Sequence, residues 1–157
     1  MRPDDLTHTA LTDTRQYVTL TLAGQLFGIP VLLVHDVLRN PVVNRIPLAP
    51  RGVAGSLNLR GRIVTAIDVR SKLDLETAPG KGPDEMCVVV EHDGDMYGLL
   101  VDEVSDVLTV DAQQIEKVPT TLDPVWREAC NGIYKLEGRL LLIFDISRLL
   151  ALDAVAA

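Results

Sequence analysis

The residues of this chain that could do acid–base chemistry are few and scattered. His35 and Asp36 are adjacent, as a general base and an orienting acid would be, but no nucleophile motif accompanies them. The other two histidines, His8 and His92, are distant, and none of the three begins a metal-ligand spacing with a cysteine or a carboxylate. We therefore expect no catalysis and no bound metal. A small hydrolase or ligand-binding barrel that uses His35 and Asp36 is kept as an alternative.

Two acidic groups and one glycine pair were weighed as ligand sites. Asp93-Gly94-Asp95 lacks the further ligands of a calcium loop and is typical of a hairpin turn. Gly80-Lys81-Gly82 lacks the rest of a phosphate-binding loop and the helix that would follow it. A third stretch carries three acids in five residues, which we interpret as a solvated acidic face: Asp102, Glu103 and Asp106. The sequence predicts no cofactor.

The composition narrows the class of partner. The 157 residues carry a formal net charge of −7 with a pI of about 4.8, which disfavours nucleic acid and anionic membranes because both reward a basic face. Aromatic residues make up only 4%, too few for a stacking platform. No apolar run approaches the ~18–20 residues of a membrane span, so we expect a soluble, non-exported chain. Cys87 and Cys130 are expected to be buried thiols of a reducing compartment.

The sequence contains an internal repeat. A shift of 70 positions places Val34, Asp36, Val37 and Leu38 on Val104, Asp106, Val107 and Leu108, and it aligns Phe27 with Tyr97. A shift of 77 positions carries Leu59, Gly61 and Arg62 onto Leu136, Gly138 and Arg139. Two similar halves predict two copies of one small unit that share a core, because a unit of ~60–70 residues alone buries too little surface.

Each copy is predicted to be made of short strands joined by tight turns. Val18, Leu20 and Leu22 alternate with polar or small residues, which indicates a strand with one buried face. Glycines at the hairpin turns fit positive φ angles. Short, evenly spaced strands with such turns indicate small barrels or sandwiches.

Helices are predicted at two places only. Asp123 and Pro124 begin a short helix near residues 124–130, and Asp145 caps a closing helix at the C-terminus. Residues 76–84 are rich in glycine and proline and are the best linker between the copies.

The block Asn58-Leu59-Arg60-Gly61-Arg62, followed by Ile67-Asp68-Val69-Arg70, resembles the CheW family of chemotaxis coupling proteins. Three further stretches agree with the family over most of the chain: Phe27-Gly28-Ile29 with the residues that follow, Gly98 to Leu108, and Glu137 to Ile143. Asp36, where the family more often has glutamate, and Thr65-Ala66, where it usually has a proline, depart from the pattern.

The resemblance implies a mainly β fold of two tandem SH3-like five-stranded β-barrels with a shared core. We place a mobile tail at residues 1–16, a single domain at 17–150 with subdomains at roughly 17–80 and 85–150, and a C-terminal tail at 151–157.

The resemblance also implies a function. It predicts a non-catalytic, cytoplasmic adaptor, recruited to membrane-associated arrays, that couples the tips of chemoreceptors to the regulatory domain of the histidine kinase CheA. Receptor helices would lie in a groove between the barrels, and the kinase domain would dock on a barrel end of the first copy. An adaptor of another chemosensory pathway, with a motility or cyclic-di-GMP output, is kept as an alternative.

The candidate partner-binding residues follow from this resemblance. Val34, Asp36 and Arg60 match positions that the family uses towards receptors or kinase, Asn58 belongs to the same motif, and Val104 is the repeat equivalent of Val34. Arg60 also stands out without the family, because its repeat equivalent is Glu137 while the leucine and glycine beside it are the same in both copies. A guanidinium at this turn is suited to a forked contact with a partner's carboxylate.

Overall fold

The structure, a computed structural model, describes residues 13–50, 52–75 and 85–152. Strands dominate this part of the chain, and the predicted mainly β class is confirmed. The strands are β1 (Thr14–Leu22), β2 (Gln25–Pro30), β3 (Val34–Arg39), β4 (Asn44–Arg45), β5 (Val53–Leu59), β6 (Arg62–Asp68), β7 (Met86–His92), β8 (Asp95–Val101), β9 (Glu103–Asp111), β10 (Cys130–Leu136) and β11 (Arg139–Phe144). The helices are α1 (Val69–Lys72), α2 (Pro124–Ala129) and α3 (Ile146–Ala151), with 3-10 turns at Val31–Leu33 and Ala112–Gln114.

Both predicted helices are present, and each begins at the cap that the sequence predicts. The Asp123 carboxylate accepts a hydrogen bond from the Val125 amide at 2.9 Å, with Pro124 in the first helical position. The Asp145 carboxylate accepts from the Arg148 amide at 3.2 Å. A carboxylate in this position satisfies an amide that has no partner within the helix.

The strands form two sheets. Sheet A has the order β10-β11-β2-β1-β9, and sheet B has the order β3-β7-β8-β6-β5-β4. Five strands were predicted for each copy, but sheet B has six because the two-residue strand β4 pairs with β5 at its edge. Neighbouring strands are antiparallel except at two seams, where β11 runs parallel to β2 and β6 runs parallel to β8. A bridge between Glu116 and Ile133 on β10 in sheet A corresponds to the short pairing of β4 with β5 in sheet B.

The two sheets do not follow the two halves of the sequence. Sheet A takes β1 and β2 from the first repeat and β9, β10 and β11 from the second, whereas sheet B takes β7 and β8 from the second repeat and the rest from the first. The predicted subdomains at 17–80 and 85–150 are therefore wrong, because the repeats exchange their first hairpins. The sequence repeat cannot reveal this exchange. The first hairpins of the two repeats are equivalent, so either one could pair with the remaining strands of either repeat.

The predicted ends of the domain also need correction. Thr14, Arg15 and Gln16, assigned to the tail, pair with Asp111, Val110 and Thr109 of β9, so the first strand begins at Thr14. At the other end α3 includes Ala151. Residues 1–12 and 153–157 of the predicted tails and the predicted linker at 76–84 lie outside the described residues.

The core consists of one shared cluster and one smaller cluster inside each sheet. Strand β7 shows how they connect, because Met86, Val88 and Val90 face the shared cluster while Cys87 and Val89 face the interior of sheet B. Both faces of such a strand are buried, which explains its uninterrupted apolar sequence. The predicted shared core is present, and burial between the sheets joins them into one unit.

Candidate functional site

The hairpin turn between β5 and β6 presents Arg60 to solvent. Arg60 and Gly61 have φ angles of 51° and 85°, the left-handed geometry of a tight two-residue hairpin turn. The Asn58 side-chain oxygen accepts a hydrogen bond from the Gly61 amide at 2.9 Å and so holds the turn in shape. Asn58 therefore positions Arg60, whose side chain is 79% exposed.

Asp36 on β3 is the partner of Arg60 within the chain. An Arg60 guanidinium nitrogen lies 3.1 Å from Asp36 Oδ2, an ion pair whose geometry falls short of a hydrogen bond. Asp36 Oδ1 accepts from the Val37 amide at 2.8 Å, while Oδ2 is shielded from solvent. An ion pair with one partner this exposed contributes about 0–1 kcal/mol to stability.

Val34 and Val104 lie at the margin of the shared core. Both are half-buried and pack against that cluster, Val34 from β3 of sheet B and Val104 from β9 of sheet A. The Val104 amide donates to the Met86 sulfur at 3.3 Å, which connects β9 to β7 of the other sheet. The structure thus brings Asp36, Asn58 and Arg60 together and puts Val104 on the other sheet.

The His35–Asp36 pair considered for catalysis is not formed. His35 Nε2 lies 2.9 Å from a Glu91 carboxylate oxygen, and Asp36 is turned to Arg60. The pairing of β3 with β7 shifts register between Val34 and Asp36, so His35 lies at an irregular point of the strand. In the described part of the chain, no three histidine, cysteine or acidic side chains are grouped as a metal site would need.

The acidic stretch after β8 also differs in part from its interpretation as a solvated face. Glu103 and Asp106 are exposed, as predicted. Asp102 instead accepts two hydrogen bonds from the Arg70 guanidinium, at 2.8 and 2.6 Å. That contact, more than the opposing effect of burial, raises the pKa of Arg70 above its ordinary value.

The two cysteines are buried and unpaired, as the sequence predicts. Burial raises the pKa of both Cys87 and Cys130 to about 12, so each stays a neutral thiol at physiological pH. Neutral buried thiols are poor nucleophiles, which fits a packing role.

Sequence reasoning missed a basic and apolar stretch along β3 to β6 of sheet B. Four arginines, Arg39, Arg45, Arg60 and Arg62, are exposed along β3 to β6. Large apolar side chains from the same stretch are exposed beside them in the chain: Val37, Val42, Ile46, Leu48 and Ile63, of which Leu48 is 103% exposed. The charge distribution in the sequence could have revealed it. The stretch from Val37 to Ile67 has five arginines and no acidic residue, although the whole chain has a net charge of −7.

The chain is a small β protein with two sheets. Its candidate site, at Asp36, Asn58 and Arg60, lies at the protein surface. None of the helices in the described ranges has the length and hydrophobicity of a membrane span. A family model described as a CheW-like domain matches residues 16–154. The chain therefore belongs to the CheW family and is a non-catalytic chemotaxis adaptor.

Individual relatives agree with this assignment. The chemotaxis protein CheW of Klebsiella aerogenes is 33% identical over 144 residues, which cover 90% of this chain and 85% of that protein. The CheW of Treponema pallidum is 26% identical, covering 85% of this chain and 81% of that protein. The crystal structure of the scaffolding protein TtCheW from Thermoanaerobacter tengcongensis superposes with a TM-score of 0.77 at 29% identity, covering 85% of this chain and 90% of that one.

Proposed function

We propose that this adaptor couples the cytoplasmic tips of chemoreceptors to the regulatory domain of the kinase CheA, and that it works in the cytoplasm at receptor arrays. The observation that carries the proposal is the ion pair of Asp36 with Arg60, which is 79% exposed on a turn that Asn58 supports. An ion pair with so exposed a partner adds little stability. We therefore assign the Arg60 guanidinium to the recognition of another protein.

The kinase regulatory domain docks, in this proposal, on the basic and apolar stretch of sheet B. Exposed apolar side chains such as Val42, Leu48 and Ile63 give up contact with water on docking, which is the main driving force of association. Arg39, Arg45 and Arg62, which are exposed in the same stretch, favour a partner surface with acidic groups and speed the encounter.

Receptor helices lie, in this proposal, against the margin of the shared core. Half-buried Val34 and Val104 offer apolar contact from both sheets, and Leu32 in the preceding 3-10 turn is 96% exposed. A helix bundle that contacts both sheets would present an apolar stripe to these side chains and a charged residue to Arg60. Each contact is weak alone, and an array gains strength from many of them.

Reversal of the charge at Arg60 is expected to weaken binding. Arg60→Glu puts a second acid against Asp36, so we expect affinity for the CheA regulatory domain or a receptor-tip fragment to fall roughly tenfold or more, equal to about 1.4 kcal/mol. The midpoint of unfolding should change little, because the side chain at position 60 is exposed and can turn to solvent. Titration calorimetry with each partner measures the affinity.

Two companion variants separate a direct contact from an internal one. Arg139→Glu makes the same charge change on an exposed residue of sheet A and should leave binding nearly unchanged. The double variant Asp36→Arg with Arg60→Asp restores an ion pair of reversed polarity. Continued loss of binding in the double variant supports direct contact by Arg60, and full recovery would mean that the pair acts only within the chain. Equal losses for Arg60→Glu and Arg139→Glu would contradict the proposed site.

A further inference from the structure

One polar cluster joins the two sheets, and its centre is the four-residue helix α1, which follows β6 of sheet B. The Arg70 guanidinium donates two hydrogen bonds to Asp102, in the link between β8 of sheet B and β9 of sheet A. Asp102 Oδ2 also accepts from the Ala23 amide at 2.9 Å, in the turn between β1 and β2 of sheet A. A single carboxylate therefore ties an arginine on the side of sheet B to a turn of sheet A.

Two further contacts extend from the same helix to elements next to sheet A. Lys72 Nζ donates to the carbonyls of Leu150 and Leu152, at the end of α3. The Trp126 indole on α2 donates to the Leu73 carbonyl at 3.2 Å, just after α1. We call Arg70, Lys72, Asp102 and Trp126 the polar clamp.

The polar clamp has no counterpart at the other junction of the pseudo-symmetric pair. The repeat shifts place Leu32 where Asp102 stands and put Ser147 and Leu149 where Arg70 and Lys72 stand. Leu32 is 96% exposed and Leu149 is buried in the shared core, so neither is placed to repeat the clamp. The repeat-equivalent positions, all within the described residues, therefore lack the charge-assisted contact that Arg70 makes with Asp102.

This asymmetry has a physical consequence. Apolar burial is non-directional. Arg70 and Asp102 follow β6 and β8, two neighbouring parallel strands of sheet B, and the forked contact between them fixes the orientation of the Asp102 carboxylate. Asp102 in that orientation makes a directional contact with the Ala23 amide of sheet A, and Arg70 is only 12% exposed.

We propose that Arg70 and Asp102 are positioning residues that hold sheets A and B at the single relative angle at which the chain binds two partners together. The proposal rests on the proposed adaptor function, because it concerns the geometry that such an adaptor presents. Neither residue needs to touch a partner.

The angle is measured directly in the full chain without any partner. Spin labels on Glu137→Cys in sheet A and Asp95→Cys in sheet B report the distance between two exposed turns. Buried Cys87 and Cys130 stay unlabelled in the folded protein. Asp102→Asn keeps the shape but loses the charge, and Arg70→Lys keeps the charge but loses the fork. Glu116→Gln, which removes an exposed ion pair with Lys135 within sheet A, is the matched control.

We expect one narrow distance distribution in the parent chain and in Glu116→Gln, and a shifted or at least twofold broader one in both clamp variants. A lower melting temperature with an unchanged distribution in both variants would mean that the clamp only stabilises the fold, and would overturn the proposal. If one variant fails to fold, the other decides.

Binding then tests the link to function. We expect each clamp variant to keep affinity for the isolated CheA regulatory domain within about twofold and to lose roughly tenfold in the joint complex with a receptor fragment. A changed distribution with full joint binding would overturn the positioning role. If the parent chain binds neither partner, the proposed function fails, and the distance distribution alone decides whether the clamp sets the angle.

Discussion

A chain cut between Leu75 and Glu85 will give two fragments, neither of which folds as a monomer. Residues 13–75 contain β1 and β2 without the strands β9 and β11 that flank them in sheet A, and β6 without its parallel neighbour β8. Each fragment would leave its hairpin unpaired, and an isolated hairpin is marginal in water. We expect the loss of all dispersed amide signals for either fragment alone, and their recovery when the two are mixed in equal amounts.

The alternative to this result is informative. If the repeats did not exchange hairpins, each fragment would hold a complete sheet and would give a folded monomer. A fragment that folds only as a homodimer is still in accord with the exchange, because two copies can swap the same hairpin between them. Sedimentation of each fragment beside its amide spectrum separates the two cases, and a folded monomer would contradict the topology.

The second large effect is expected at the centre of the shared core, where Phe27→Ala will destabilise the whole protein. Phe27 is fully buried and stacks on Phe144 with ring centroids 4.5 Å apart, while Trp126 meets it edge-on at 5.6 Å. Truncating a buried phenylalanine costs about 3–5 kcal/mol through lost burial and the cavity left behind. A domain has only about 5–15 kcal/mol in total, so a large part of its stability is removed.

Denaturant unfolding measures this loss, and the repeat supplies a matched comparison. Tyr97 is the equivalent of Phe27 in the other hairpin and is only half-buried against the same cluster. Tyr97→Ala should lower the free energy of unfolding clearly less than Phe27→Ala does, because the Tyr97 side chain buries less apolar area in the folded protein. Equal losses at both positions would show that the two hairpins carry the core equally, against the packing described here.

The local structure could be predicted from the sequence because local physics determines it. Alternation of apolar residues predicted β1, although Tyr17 and Thr19 show that its second face is buried as well. Glycines predicted the hairpin turns, and Asp123 and Asp145 predicted the helix starts. The exchange of hairpins could not be predicted in this way, because it does not depend on local sequence. Two equivalent hairpins satisfy the same pattern, so only the path of the connecting segments and the packing between sheets decide which one pairs with which copy.

In the candidate site, too, local features could be predicted and contacts between distant residues could not. Arg60 could be singled out because the repeat reverses its charge at Glu137, and the structure finds it exposed on a tight turn. Its ion pair with Asp36 could not be read from the sequence, since it depends on how the β5–β6 turn sits beside β3. The contact between Arg70 and Asp102 was missed for the same reason, because it depends on β6 and β8 being neighbours in sheet B.

The adaptor account is tested most directly by whether one molecule of this chain binds both partners at once. Sedimentation velocity of the chain with the CheA regulatory domain and a receptor-tip fragment gives the answer, with each pair measured beside the mixture. The account predicts a single faster species that contains all three components and is absent when this chain is left out. A chain that binds neither partner, or whose two partners displace one another, would contradict it.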